Sequence, residues 1–326
     1  MNRPIEHPFS FDPYCGYSQE QLLAIAPPDT EPDDFQEFWR SKYRETVSRP
    51  VEILDRKPIW SPNPDIEIHE VYYRSHDNAV IGCWLSRPRN PQGAILLCHG
   101  YGNPAVPTLN EEFTVISPCL RGMGLSKNSK IPWQPSHHVL YGIESRETYA
   151  LLGCAADLWT AVSVLAELEP SALDNLHFRG GSFGGGMGAL AVPWDSRIRT
   201  AYLNVPTFGH NPLRLQFESK GSGEAVRQYR VLHPECDEVL NYFDAATAAR
   251  YFNIPVLLSP ALFDPTVVPP GQFAVANAIP ESLRELHILP AGHYEIPANA
   301  PVQEKLDERM RDYAFNRAPM PGIYCG

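Results

Sequence analysis

The stretch that most constrains this chain runs from Leu176 to Leu190 and reads Leu-His-Phe-Arg-Gly-Gly-Ser-Phe-Gly-Gly-Gly-Met-Gly-Ala-Leu. A short apolar run, Leu176 to Phe178, leads into Gly-x-Ser-x-Gly at Gly180 to Gly184. Small residues suited to a helix follow, from Ser182 to about Val192. The pattern predicts strand, sharp turn, helix. Such a turn holds its serine in strained backbone and leaves Oγ exposed at the top of the strand. The flanking Gly180 and Gly184 are expected because a side chain would clash inside so tight a turn. The helix begins at once, so its amide-rich N-terminus faces the place where negative charge would develop. Two other readings compete. The serine is then only a helix N-cap, or the loop is a phosphate loop, for which the following Gly-Lys-Ser/Thr is missing.

The rest of the chain weighs between them. Residues 1–50 read as an N-terminal extension with a short helix over Ser18 to Ala26, stopped by Pro27 and Pro28. A better helix starts at Asp33-Asp34, with Phe35, Phe38 and Trp39 on one face. Residues 66–87 read as antiparallel strands about a Ser75-His76-Asp77-Asn78 turn. Gly93 to Cys98 is a continuous apolar run, the signature of a strand buried on both faces. It empties into His99-Gly100-Tyr101-Gly102-Asn103. Phe113 to Leu120 is another such run, followed by Arg121-Gly122-Met123. A long loop covers 125–144. Leu151, Ala155, Leu158, Val162 and Leu165 mark a helix from about Glu147 to Glu167. After the serine turn, Arg199 to Val205, Ile254 to Pro260 and Leu286 to Leu289 read as strands. Residues 206–250 read as a helical excursion over the sheet's edge. Helices are predicted over Gln272 to Ala278 and Pro301 to Tyr313.

Strands and helices thus alternate, which predicts one α/β domain over 1–326: a mostly parallel sheet with helices on both faces. Ligands of such sheets lie beyond the C-terminal strand ends. Ser182, Asp264 and His293 each follow a predicted strand, in the order Ser, Asp, His. This is the chain order of the α/β-hydrolase scaffold. His293 is then the candidate base for the Ser182 hydroxyl, and Asp264 the group that orients it. The backbone N–H groups of Phe183 and Tyr101 are the candidate oxyanion donors. Arg121 reads as scaffold, its five donors tying loop carbonyls beneath the nucleophile; the alternative is an exposed arginine at the rim. His99 reads as a loop-shaping residue and His287 as structural, while His210 and His233 stand where they can reach the cleft. Glu295 is a rival orienting acid. Asp244 and Asp307 read as solvated.

Composition narrows the partners. A formal charge of −11 argues against a nucleic-acid or anionic-membrane surface. No apolar stretch reads as long enough to span a bilayer, and Met1 to Pro8 lacks the apolar core of a signal peptide, so a cytoplasmic protein is expected. The seven cysteines are scattered, with no Cys-x-x-Cys pair, and no histidines have His-Glu-x-x-His spacing. Neither a disulfide framework nor a metal site is expected, and no organic cofactor.

Over roughly residues 33–316 the chain resembles the acetyl xylan esterases and cephalosporin C deacetylases. It carries Arg121-Gly122-Met123, Gly180-Gly181-Ser182-Phe183-Gly184-Gly185 and His293-Tyr294-Glu295 where that family has Arg-Gly-Gln, Gly-Gly-Ser-Gln-Gly-Gly and His-Glu. Asp34 to Trp39, Tyr141-Gly142-Ile143 with Tyr149 and Asp157, and Tyr242-Phe243-Asp244 are similar to family positions too. Gly100-Tyr101 resembles the family's oxyanion loop. Met123, Phe183 and Tyr294 depart from the pattern, and Ser219-Lys220-Gly221-Ser222-Gly223 stands where the family has a bulkier Thr-His-Pro-Tyr. The resemblance implies removal of short acyl groups, acetyl first, from a sugar or similar small alcohol, and a ring-shaped homohexamer. Other activities on the same scaffold are the alternatives: a lipase-like esterase, a dienelactone-type hydrolase or a peptidase. A catalytically silent binding protein is another.

Overall fold

The structure, a computed structural model, describes residues 5–101, 106–128, 130–314 and 322–325. Gly102 and Asn103 of the loop after Cys98, and the side chain of Cys325, lie outside the described residues. Eleven strands form the sheet among these residues: β1 (Glu52–Ile59), β2 (Ile66–Arg74), β3 (Val80–Pro88), β4 (Ala94–Cys98), β5 (Thr114–Pro118), β6 (Leu176–Gly181), β7 (Thr200–Asn204), β8 (Val256–Ser259), β9 (Ala261–Phe263), β10 (Arg284–Ala291) and β11 (Gly322–Cys325). They lie in the order β1-β2-β3-β5-β4-β6-β7-β8-β10-β11, with β9 paired to β10. Pairing is antiparallel from β1 to β5 and parallel from there onward. β6, the strand that ends at Ser182, is central, between β4 and β7.

The helices are α1 (Gln19–Leu23), α2 (Phe35–Val47), α3 (Pro135–His138), α4 (Ala150–Leu168), α5 (Phe183–Ala191), α6 (Asn211–Arg214), α7 (Ser222–Leu232), α8 (Cys236–Leu240), α9 (Ala245–Ala249), α10 (Pro269–Ala278) and α11 (Asn299–Ala314). The predicted helices all form, with ends shifted by a few residues. Ser18 begins α1 with a capping box, its side chain accepting from Gln21 while Gln21 reaches back to its N–H. Phe35, Phe38 and Trp39 of α2 are buried, and Trp39 donates to the Tyr242 carbonyl at 2.9 Å.

Four features differ from the sequence reading. β1 carries no strand signal, because its sequence, Glu-Ile-Leu-Asp-Arg-Lys-Pro-Ile, shows no apolar alternation; it is an edge strand with no fully buried side chain. β11 gave no signal either. α4 is long and apolar enough to cross a membrane by length and composition, contrary to expectation. It is a core helix instead, packed on α2, α5, β4 and β5 and carrying the buried Asp157. The excursion at 206–250 does not lie wholly over the edge: its α9 packs on α10 and on α5, the helix that covers β4, β6 and β7. Cys83, Cys98, Cys154 and Cys236 are free thiols, and these four and Cys119 are buried as small core residues.

The first described residues form a strap. The rings of His7 and Tyr14 lie on Phe263, and Phe9 meets Tyr294 edge-on. The Tyr294 hydroxyl donates to the Glu6 carbonyl, and the Asp264 N–H donates to the Pro13 carbonyl at 3.1 Å.

Candidate active site

Ser182 sits between β6 and α5 with φ 56° and ψ −115°, a backbone that L side chains rarely adopt. The close packing around it explains the glycines. A Cβ on Gly180 would lie 2.4 Å from the Gly184 carbonyl oxygen, and one on Gly184 would lie 2.3 Å from that of Cys98. Strained serine and bare neighbours together project Oγ above the sheet.

His293 Nε2 stands 2.9 Å from Ser182 Oγ, and its Nδ1 stands 2.8 Å from Asp264 Oδ2. Asp264 follows β9 directly and is fully buried. Its Oδ1 accepts from the N–H groups of Thr266 and Val267, and its Oδ2 also accepts from Gln272 Nε2 at 3.0 Å. With the carboxylate so engaged, the histidine's Nδ1 must be the donor to it, which leaves Nε2 as acceptor for the serine hydroxyl. Burial lowers the His293 pKa, but the hydrogen bond and charge of Asp264 outweigh it, and the net shift is upward. Gly292 keeps this contact open, because a Cβ there would lie 2.5 Å from Asp264 Oδ2.

Phe183 opens α5, so its N–H has no partner within the helix. Among the described residues neither it nor the Tyr101 N–H donates to any acceptor. The side chains of the same two residues are stacked. Phe183 is fully buried and meets His138 and Phe208 edge-on. Its ring therefore belongs to the core and forms no wall of the acyl site. The Tyr101 hydroxyl donates to His138 Nδ1 at 2.9 Å, and His138 Nε2–H donates to the Arg121 carbonyl at 3.0 Å. Burial pushes the His138 pKa down to about 4, so its ring is neutral at pH 7. His99 shapes the same loop: its Nε2 accepts from the Leu120 N–H, and its Nδ1–H donates to the Gly100 carbonyl.

Arg121 is 6% exposed and does not reach the cleft. Its donors go to carboxylates rather than to the loop carbonyls expected: Nε and Nη2 to Asp157, Nη1 to Asp77. Asp157 also accepts from Ser75 Oγ and the Arg121 N–H. This network fixes the segment whose carbonyl holds His138.

The opening beside Ser182 and His293 has a volume of about 360 Å³ and is lined also by Asn204, Leu289, Asn299 and Gln303. Asn299 and Gln303 come from α11. Neither His210 nor His233 lines it. His210 instead caps α6, and His233 stacks on Tyr229. Glu295 is exposed and Asp307 solvated, as read. Asp244 is 1% exposed, contrary to expectation, and accepts four backbone N–H bonds around the starts of α6 and α9. The sequence reading also missed His138, Gln272 and Gly292. Only Gly292, beside the histidine after a strand, carried a local signal. No group of three or more His, Cys, Asp or Glu among the described residues is placed to hold a metal ion.

A strained serine between strand and helix, with Asp and His beyond later strands of a mostly parallel sheet, defines an α/β-hydrolase. The sequence profile of the acetyl xylan esterase (AXE1) family matches residues 15–306, and the chain belongs to that family. An acetyl xylan esterase from Paenibacillus sp. R4 superposes with a TM-score of 0.80 at 21% identity, covering 93% of this chain and 100% of its own. Acetyl xylan esterase 1 from Thermoanaerobacterium sp. JW/SL YS485 gives 0.78 at 19% identity, over 92% and 99% of the two chains. Both share the fold. Acetyl esterase Axe7A of Xylanibacter ruminicola is 20% identical over 280 residues, 81% of this chain; the chain spans 63% of that relative's length.

Proposed function

We propose that this protein is a serine esterase that removes short acyl groups, acetyl first, from carbohydrate or similar small alcohols. The observation that carries the reading is the pair of contacts on His293, 2.9 Å to Ser182 Oγ and 2.8 Å to Asp264. Membership of the acetyl xylan esterase family supports the substrate class.

As Ser182 Oγ attacks the ester carbonyl carbon, His293 Nε2 takes its proton. Asp264 stabilises the imidazolium and keeps the ring in the productive tautomer. The carbonyl oxygen becomes an oxyanion and is received by the N–H groups of Phe183 and Tyr101. Collapse breaks the bond to the alcohol oxygen, which leaves with the proton from His293. The acyl group remains on Ser182. Water then attacks this ester, with His293 again taking the proton; the bond from the acyl carbon to Ser182 Oγ breaks, Oγ takes the proton from His293, and the free acid departs. No metal or organic cofactor enters any step.

Membership of the acetyl xylan esterase family favours a short acyl group over a long chain. The test is a p-nitrophenyl ester series from acetate to octanoate, run beside an acetylated xylo-oligosaccharide and an acetylated cephalosporin. Turnover is expected to be highest on acetate and to fall with length. One methylene is worth about 1–3 kcal/mol in such a pocket, so neighbouring esters differ modestly. Activity rising toward octanoate would favour a lipase-like enzyme. Failure of a fluorophosphonate to label Ser182 would mark a silent protein.

A further inference from the structure

Arg214, the last residue of α6, is a buried cation that no described carboxylate touches. It is 8% exposed. Its Nε donates to Asn211 Oδ1 at 2.8 Å, and the guanidinium carbon lies 5.8 Å from the Phe208 ring centre. No carboxylate oxygen among the described residues lies within 4.0 Å of it, and neither Nη has an acceptor there. Of the carboxylates nearby in the chain, Glu218 is exposed, Asp244 acts on Arg214 by its charge without touching it, and the bonds of Asp244 and Glu224 go elsewhere. Asp244 accepts its four backbone N–H bonds, and Glu224 accepts from Arg227, Gln228 and the Ser219 N–H. Asp244 offsets part of the charge, but a buried guanidinium whose N–H groups lack acceptors is costly and calls for a partner.

The guanidinium faces a narrow cavity lined also by Thr207, Ser219, Gly223 and Thr266. Ser219 and Gly223 bound the small-residue segment that departs from the family pattern, and their size leaves this space open. Its volume is about 10 Å³ for the centre of a water-sized sphere, the room that one water or one small ion needs. A fork of unpaired N–H donors beside three hydroxyl side chains matches a small anion better than a neutral water, because charge-assisted hydrogen bonds are the stronger ones.

We propose that Arg214 heads a binding site for one small monovalent anion, a halide ion or a single carboxylate group. The site lies behind the catalytic residues. The Thr207 N–H donates to the Ser182 carbonyl at 3.2 Å, and the Thr266 N–H donates to Asp264 Oδ1 at 2.8 Å. An anion held by Arg214 therefore braces two segments that position Ser182 and Asp264. The proposal does not depend on the esterase reading.

The test is the melting temperature in sodium chloride or sodium formate, each exchanged against sodium gluconate at constant total salt. Gluconate is too large for the cavity. The wild type is expected to melt higher, with saturation, as the small anion replaces gluconate. Arg214→Met is expected to lose that response and, in gluconate alone, to melt no lower than the wild type. Gly223→Val keeps the arginine but fills the space, since a Cβ there already sits 3.3 Å from Ser219 Oγ and 3.6 Å from Arg214 Nη1. It should lose the response as well. Crystals grown in bromide should show an anomalous peak beside the Arg214 Nη atoms. Response to chloride alone identifies a halide site; response to both identifies one that accepts carboxylates. No saturable response in the wild type, an equal response in both variants, or no bromide peak would each overturn the proposal.

Discussion

The ring of Tyr101 lies on the ring of Phe183, with centres 3.9 Å apart and planes inclined by 23°. The two residues whose N–H groups are the proposed oxyanion donors thus brace each other through their side chains. Phe183→Ala removes one half of the stack from a fully buried position. It is expected to cost about 3–5 kcal/mol in urea unfolding. It should also lower kcat by roughly 10- to 1,000-fold with a smaller change in KM, because the N–H groups act most on the developing oxyanion. A destabilised variant with wild-type kcat would separate the stack from catalysis.

Replacing the reacting side chains should give a characteristic pattern. Ser182→Ala and His293→Ala are expected to lose activity by similar factors, on the order of 10⁴–10⁶, because groups that act as a unit are not additive. The double variant should be little worse than either. Asp264→Asn should fold yet lose roughly 10⁴ in kcat, through the wrong imidazole tautomer. Kinetics on p-nitrophenyl acetate measure all of these, and near-normal turnover by Ser182→Ala would refute the assignment.

The pH dependence follows from two histidines shifted in opposite directions. His293 must be neutral to accept the serine proton. Its pKa is raised above 6.5, so the acid limb of kcat/KM should have its midpoint above 6.5. Asp264→Asn should move that midpoint down. The stability from the His293–Asp264 contact is full below the unfolded value and fades as pH rises through the folded one. His138 behaves the other way. Its folded pKa is about 4, so the unfolded chain binds a proton first as pH falls below 6.5. Stability should then drop by about 3 kcal/mol between pH 6.5 and 4. Urea unfolding at pH 7 and 4.5 measures the drop, which His138→Gln should reduce.

Arg121→Lys tests the buried network. A lysine cannot reproduce the fork to Asp157 together with the bond to Asp77. Breaking such a buried pair typically costs about 3–5 kcal/mol. The melting temperature should fall, and kcat with it, because the Arg121 carbonyl holds His138. Unchanged melting with a raised KM would instead place Arg121 in substrate binding.

What could be read in the sequence was what local chemistry dictates. Ser182 announced itself through the glycines that its turn demands. Asp264 and His293 followed from strand ends and chain order, and the three side chains do stand together. Groups whose meaning depends on distant partners were not legible. His138 is one of two adjacent histidines in a loop, and only the folded chain brings it between Tyr101 and Arg121. Arg214 stands in a segment rich in charged residues, which suggests an exposed side chain, yet it is buried. Nothing in its neighbours' identities reveals that the nearby carboxylates are engaged elsewhere. β1 escaped notice because an exposed edge strand has no buried face to impose alternation.

The strap from Glu6 to Tyr17 has a consequence in time. The Pro13 carbonyl accepts from the Asp264 N–H, and Phe263 and Tyr294 supply the rings on which His7, Phe9 and Tyr14 rest. At about 5–20 residues per second, the ribosome adds Asp264 roughly 10–50 s after Pro13. For that interval the aromatic strap has no seat. It is made well before the residues that seat it, and its docking coincides with completion of the site.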